Sequence, residues 1–112
     1  MAIVSQIFNT TGDATGGILK TKRKYDHLGF WKVDVTPASA PMTGTIILEG
    51  QFGFGGQVEN TWTTIATFTE ADFGAGSGPY TTGQNVNLLP EMRMRTINND
   101  DQGNEYLGFI ME

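Results

Sequence analysis

Apolar and polar residues alternate along much of this chain, and that period of two limits its folds more than any other feature. In residues 30–36, Trp31, Val33 and Val35 fall on one face, and Phe30, Lys32 and Asp34 on the other. This is the pattern of a half-buried strand. Residues 45–52 repeat it and place Ile46, Leu48 and Phe52 on one side. Met92-Arg93-Met94-Arg95 alternates apolar with charged. Further β-prone runs lie at residues 3–8, 61–69, 85–89 and 105–111. No window keeps a 3.6-residue period over three turns, so helices are not expected.

Turn-forming residues separate these runs. Thr11-Gly12-Asp13, Gly16-Gly17, residues 37–41, Gly53-Phe54-Gly55-Gly56, residues 74–79 and residues 98–104 are rich in Gly, Pro, Asn or Asp. About seven short strands at this spacing predict an all-β fold, a single-domain antiparallel β-sandwich of jelly-roll-like type. The length of 112 residues suits one small domain. We expect residues 1–27 to form an N-terminal strand or arm with a basic loop, and residues 28–112 to form the sandwich core.

Two places break the alternation. Trp62 and Ile65 fall on opposite faces of a regular strand, and a bulge near Thr63-Thr64 would turn both inward. Without it, one of them faces solvent or a partner. The terminal strands are apolar on both faces. Ile3 and Ile7 oppose Val4 and Phe8, while Leu107, Phe109 and Met111 oppose Tyr106 and Ile110. Such strands need a second covering layer, either this chain's own loops or a neighbouring subunit.

Composition removes several functions. The chain has no Cys, which excludes a disulfide scaffold and a thiolate metal site. A net charge of −5 argues against general nucleic-acid binding. No apolar run approaches the ~20 residues that span a bilayer. Residues 1–6 lack a basic and apolar leader pattern, so no secretory signal is expected. Only one His is present, His27, and Ser5, Ser39 and Ser77 have no nucleophile-elbow context. His27 reads as a surface or strand-end residue, and Glu49, Glu59, Glu91 and Glu105 form no catalytic pair. The expectation is therefore a protein that is not an enzyme and uses no cofactor. Residues 98–105 resemble a calcium loop only superficially and read as a plain turn, with a weak Ca²⁺ site as the alternative. A sugar-binding surface would draw on Trp31, Trp62 and Tyr80.

The basic residues are uneven. Lys20, Lys22, Arg23 and Lys24 are four of the seven in the chain. They suit a solvated edge that discourages strand pairing, or a docking patch for an acidic protein surface. Arg93 and Arg95 suit a solvated or ion-paired sheet face. Phe54, at the tip of a glycine-rich turn, reads as an exposed contact residue.

Three stretches together resemble small structural proteins of tailed bacteriophages. They are Ile46-Ile47-Leu48-Glu49-Gly50-Gln51-Phe52, Thr61-Trp62-Thr63-Thr64-Ile65-Ala66-Thr67, and residues 87–98 with Pro90 and Arg93-Met94-Arg95. The similarity spans roughly residues 43–112 and is to capsid decoration, or cement, proteins; Glu91 departs from it, standing where an aromatic residue is common. It implies a virion protein made in the host cytoplasm. Such a protein binds the major capsid protein on the outer shell and bridges capsomers, as a homotrimer. The implied contact residues are Lys20, Lys22, Arg23, Lys24, Phe54, Tyr106 and Ile110. A tail or head-fibre adaptor and a carbohydrate-binding module are the alternatives.

Overall fold

The computed structural model describes residues 3–12, 14–23, 25–36, 44–52, 62–73, 80–97 and 104–112. Lys24, Phe54, the turns at 37–41, 53–56 and 74–79, and residues 98–103 of the calcium-like loop lie outside them. The described elements are β1 (Val4–Thr11), β2 (Ala14–Thr15), β3 (Leu19–Lys20), β4 (His27–Thr36), β5 (Thr45–Gln51) and β6 (Thr63–Thr69). A one-turn 3-10 helix (Glu70–Asp72), β7 (Tyr80–Leu88), β8 (Glu91–Ile97) and β9 (Glu105–Met111) follow.

All pairings are antiparallel. One sheet has the order β1-β9-β4-β7, and the other β2-β8-β5-β6 with β3 also on β8. β2 and β3 occupy the same edge of β8, and Gly16 N–H donates to Met94 O between them (2.8 Å). They behave as one interrupted strand. Counted so, the strands run first–eighth–third–sixth and second–seventh–fourth–fifth, the order of a jelly roll. The expected all-β sandwich is present.

The alternation in β4 is realised as read. Trp31, Val33 and Val35 are fully buried, and their neighbours face out. β8 behaves alike, with Met92 and Met94 buried and Arg93 and Arg95 half-buried outside. The inner faces meet in a core that includes Ile46, Leu48, Phe68, Val86, Leu88, Tyr106 and Ile110.

Bulges in β1 and β6 account for part of both broken alternations. In β1, Gln6 faces Phe109 and Phe8 faces Gly108, so Ile7 is an extra residue. The bulge turns Ile7 and Phe8 inward together, and both are buried. Gly108 makes room, since a Cβ there would meet Met94 Sδ and, at 3.2 Å, both Ile7 and Phe8. In β6 the extra residue is Ile65, because Leu48 faces Ala66 and Glu49 faces Thr64. Ile65 packs on the core, but Trp62 does not turn inward. It lies outside, with its ring over the Arg93 guanidinium at 4.2 Å.

Other differences have local causes. β7 begins at Tyr80, earlier than apolar alternation suggests, because Thr81 to Gln84 hold no apolar side chain and pair with β4 through the backbone ladder and a Thr81 hydroxyl that donates to Asp34 Oδ1 (2.7 Å). Phe52 is exposed rather than aligned with Ile46 and Leu48, because β5 ends at Gln51. Thr69 ends β6 by accepting a short helical turn, with its N–H donating to Asp72 Oδ2 (2.8 Å), and the turn delivers Phe73 to the core.

The described part of residues 1–27 is sewn into the sandwich. β1 pairs β9, while the strap of β2 and β3 runs along β8. Gly16 allows the strap to pass under β1, since a Cβ there would stand 2.9 Å from Phe8. Thr96, 1% exposed, pins the start of the strap. Its hydroxyl donates to Gly12 O (2.6 Å) and accepts from Ala14 N–H (3.1 Å).

Candidate docking site

The strap ends beside the junction of β1, β9 and β4, and a cleft forms there. Thr21 fixes the end of the strap, with N–H donating to Pro90 O (2.8 Å) and the hydroxyl to Leu89 O (3.0 Å). Ile3 and Glu112 continue the β1–β9 ladder through two backbone hydrogen bonds of 3.1 and 2.9 Å. Ile3, Lys22, Arg23, His27, Leu28 and Glu112 line an open cleft of about 420 Å³.

The polar groups of the cleft are oriented by the fold. Glu112 turns its carboxylate onto the Lys22 backbone N–H, which donates to both oxygens (3.1 and 3.0 Å). His27 opens β4 with its Nδ1 3.0 Å from Tyr25 O. A carbonyl can only accept, so Nδ1 carries the proton in the neutral ring and Nε2 holds the lone pair. The His27 side chain is 8% exposed, and its Nε2 lies 3.9 Å from Glu112 Oε1. That nitrogen is buried without a hydrogen-bond partner. Arg23 is exposed and donates from Nη1 to the Tyr25 hydroxyl (3.1 Å). Leu28, 82% exposed, and Ile3, 46% exposed, supply an apolar rim. Among the described residues the cleft thus holds two permanent cations against one carboxylate, in a chain of net charge −5.

Of the contact residues expected from the sequence, Lys22 and Arg23 line this cleft, and Lys20 is exposed on β3 opposite Glu91. Lys24 and Phe54 lie outside the described residues. Tyr106 and Ile110 require a correction. Both are fully buried, because β9 directs Tyr106, Gly108 and Ile110 into the core. It is Leu107, Phe109 and Met111 that face out, half-buried beside Phe30 and Lys32 of β4. The sequence reading missed His27, Leu28 and Glu112 as cleft residues. The available signal was a lone His bracketed by the basic cluster and an unpaired Leu.

Arg93 and Arg95 form ion pairs, not an open site. Glu49, 5% exposed, receives Arg93 Nε on Oε1 at 2.9 Å and faces Arg95 Nε from Oε2 at 3.1 Å. The Arg95 contact is an ion pair without hydrogen-bond alignment. Trp62 covers Arg93, and Gln51 Nε2 donates to Glu91 Oε1 (2.8 Å) nearby. The three aromatic residues considered for sugar binding do not share a surface, because Trp31 and Tyr80 are buried. Among the described residues no three His, Asp or Glu side chains gather as metal ligands. No described helix is long and apolar enough to cross a membrane.

Comparison with protein-family models, with curated proteins and with solved structures returns no match to this chain.

Proposed function

We propose that this chain is a bacteriophage virion protein of the capsid-decoration type. In this reading it binds the major capsid protein on the outer shell and adds contact area across the joints between capsomers. The carrying observation is the cleft at Lys22, Arg23, His27 and Leu28, where cations adjoin exposed apolar side chains on a rigid sandwich edge. Exposed apolar area beside oriented charge is the combination from which interfaces are built. The jelly-roll order supports the reading by analogy, since capsid and lectin domains share it. Many weak contacts in a repeating shell give strong retention through avidity. A homotrimer on the shell has apolar area to draw on at Val4, 56% exposed, and at Phe30, Phe109 and Met111 of the same sheet face.

Electron microscopy of virions from the phage encoding this chain tests the reading. Density for the sandwich on the outer capsid supports it. Density confined to the tail transfers the protein to the tail and fibre adaptors. Absence from the particle removes the virion assignment.

A further inference from the structure

We infer that the cleft receives an extended acidic protein segment, with its carboxylates at Lys22 and Arg23 and an apolar neighbour on Ile3 and Leu28. The inference rests on the same docking cleft as the proposed function, but it does not need the partner to be a capsid.

Three features converge on this ligand. The first is charge. Four of the seven basic residues lie within residues 20–24 of an otherwise acidic chain, and two of them line the cleft. Glu112, the one carboxylate among the described lining residues, is already bonded to the Lys22 N–H, which leaves the Lys22 ammonium and the Arg23 donors not taken by the Tyr25 hydroxyl for a ligand. The second is His27. Its Nε2 is buried, lacks a hydrogen-bond partner and borders the cleft. With Nδ1–H held by Tyr25 O, Nε2 of the neutral ring is an acceptor, which a backbone N–H of the bound segment reaches once the cleft side chains over it shift. A buried acceptor left unpaired costs free energy, and a ligand that supplies a donor recovers it. The third is the rim. Leu28 and Ile3 are large, apolar and exposed next to the cations. A nucleic acid would satisfy the cations but not the rim, and the net charge of −5 repels it.

Fluorescence anisotropy with a labelled dodecapeptide of alternating glutamate and leucine tests this. Controls replace glutamate by glutamine, or leucine by serine. The glutamate–leucine peptide is expected to bind, and each control to bind at least tenfold more weakly. Raising salt from 50 to 500 mM is expected to weaken binding severalfold. The double variant Lys22→Glu, Arg23→Glu is expected to lose binding, and Leu28→Ser to lose about tenfold. All three side chains are exposed, and Glu112 bonds the backbone of Lys22, so the fold is expected to survive; an unchanged unfolding midpoint verifies this. His27→Phe keeps a ring but removes both Nε2 and the Nδ1–H bond to Tyr25 O, and is expected to weaken binding severalfold. Equal affinity for the glutamine peptide, no binding at 1 mM peptide, or equal binding to phosphatidylserine vesicles overturns the inference. If the peptide fails while the virion carries the chain, the inference falls and the capsid reading stands. If the peptide binds and virions lack the chain, the reverse holds.

Discussion

Trp31 of β4 and Phe68 of β6 stack with centroids 4.4 Å apart and planes 20° apart, which locks one sheet to the other. Phe68 meets Phe73 edge-on at 6.2 Å, and Phe73 meets Tyr80 of β7 at 5.8 Å. Aromatic contact therefore runs from one sheet to the other and back. Trp31→Ala is expected to destabilise the chain by about 3–5 kcal/mol, seen as a lower denaturant midpoint. Trp31→Phe is expected to cost much less, because it also removes an indole N–H that is buried without a partner. A double-mutant cycle with Phe68→Leu is expected to give a coupling of about 0.5–1.5 kcal/mol. Additive effects would show that the stack carries no energy of its own.

Gly108 and Gly17 are expected to differ sharply on substitution. A Cβ at Gly108 collides with Met94 Sδ inside the core, whereas one at Gly17 meets nothing within 4 Å. Gly108→Ala is expected to cost about 1–3 kcal/mol. Gly17→Ala is expected to stay within about 0.5 kcal/mol of the parent. Thermal melts of the two variants check this, and equal melting temperatures would contradict the tight β1–β9–β8 packing.

Glu49 is the shared partner of two guanidinium groups, so its loss leaves both uncompensated on a partly buried face. Glu49→Gln is expected to destabilise by about 1–3 kcal/mol, below the full cost of a buried pair because both arginines keep some solvent contact. The more open Lys32–Asp34 pair, half-buried and at 3.4 Å, is the contrast. Asp34→Asn is expected to change stability by less than about 1 kcal/mol. Chemical denaturation of both variants decides it.

Thr96→Val removes the hydroxyl that holds Gly12 and Ala14 while keeping the side-chain shape. It is expected to cost about 1–3 kcal/mol, because two backbone groups lose their partner. Hydrogen exchange at the Ala14 amide is expected to rise more than at Leu48 in the core. A uniform rise would mean that the strap does not open by itself.

What the sequence revealed depends on which force set each strand. Where burial alone decides, as for Trp31, Val33 and Val35 or for Met92 and Met94, strict alternation was readable. β1 and β6 were harder, because each bulge depends on a partner strand far away in sequence: Gly108 opposite Ile7–Phe8, and Leu48–Glu49 opposite Ile65. The polar half of β7 gave no signal, since it pairs with β4 through the backbone and a Thr81–Asp34 hydrogen bond rather than through apolar burial. At the cleft, Lys22 and Arg23 stood out by charge. His27 and Glu112 meet only when the two ends of the chain and the start of β4 come together, 85 residues apart in sequence between Nε2 and Oε1. Tyr106 and Ile110 were assigned the wrong role because β9 is apolar on both faces and alternation alone does not say which one is inside.

Rebinding to the shell tests the central claim most directly. Virions stripped of this chain are mixed with the purified protein or with its Lys22→Glu, Arg23→Glu variant, then sedimented. The account predicts that the parent protein returns to the particles in a fixed ratio to the major capsid protein and raises the temperature of DNA release, and that the variant stays in the supernatant. Equal recovery of both proteins with the particles, or no recovery of either, would contradict it.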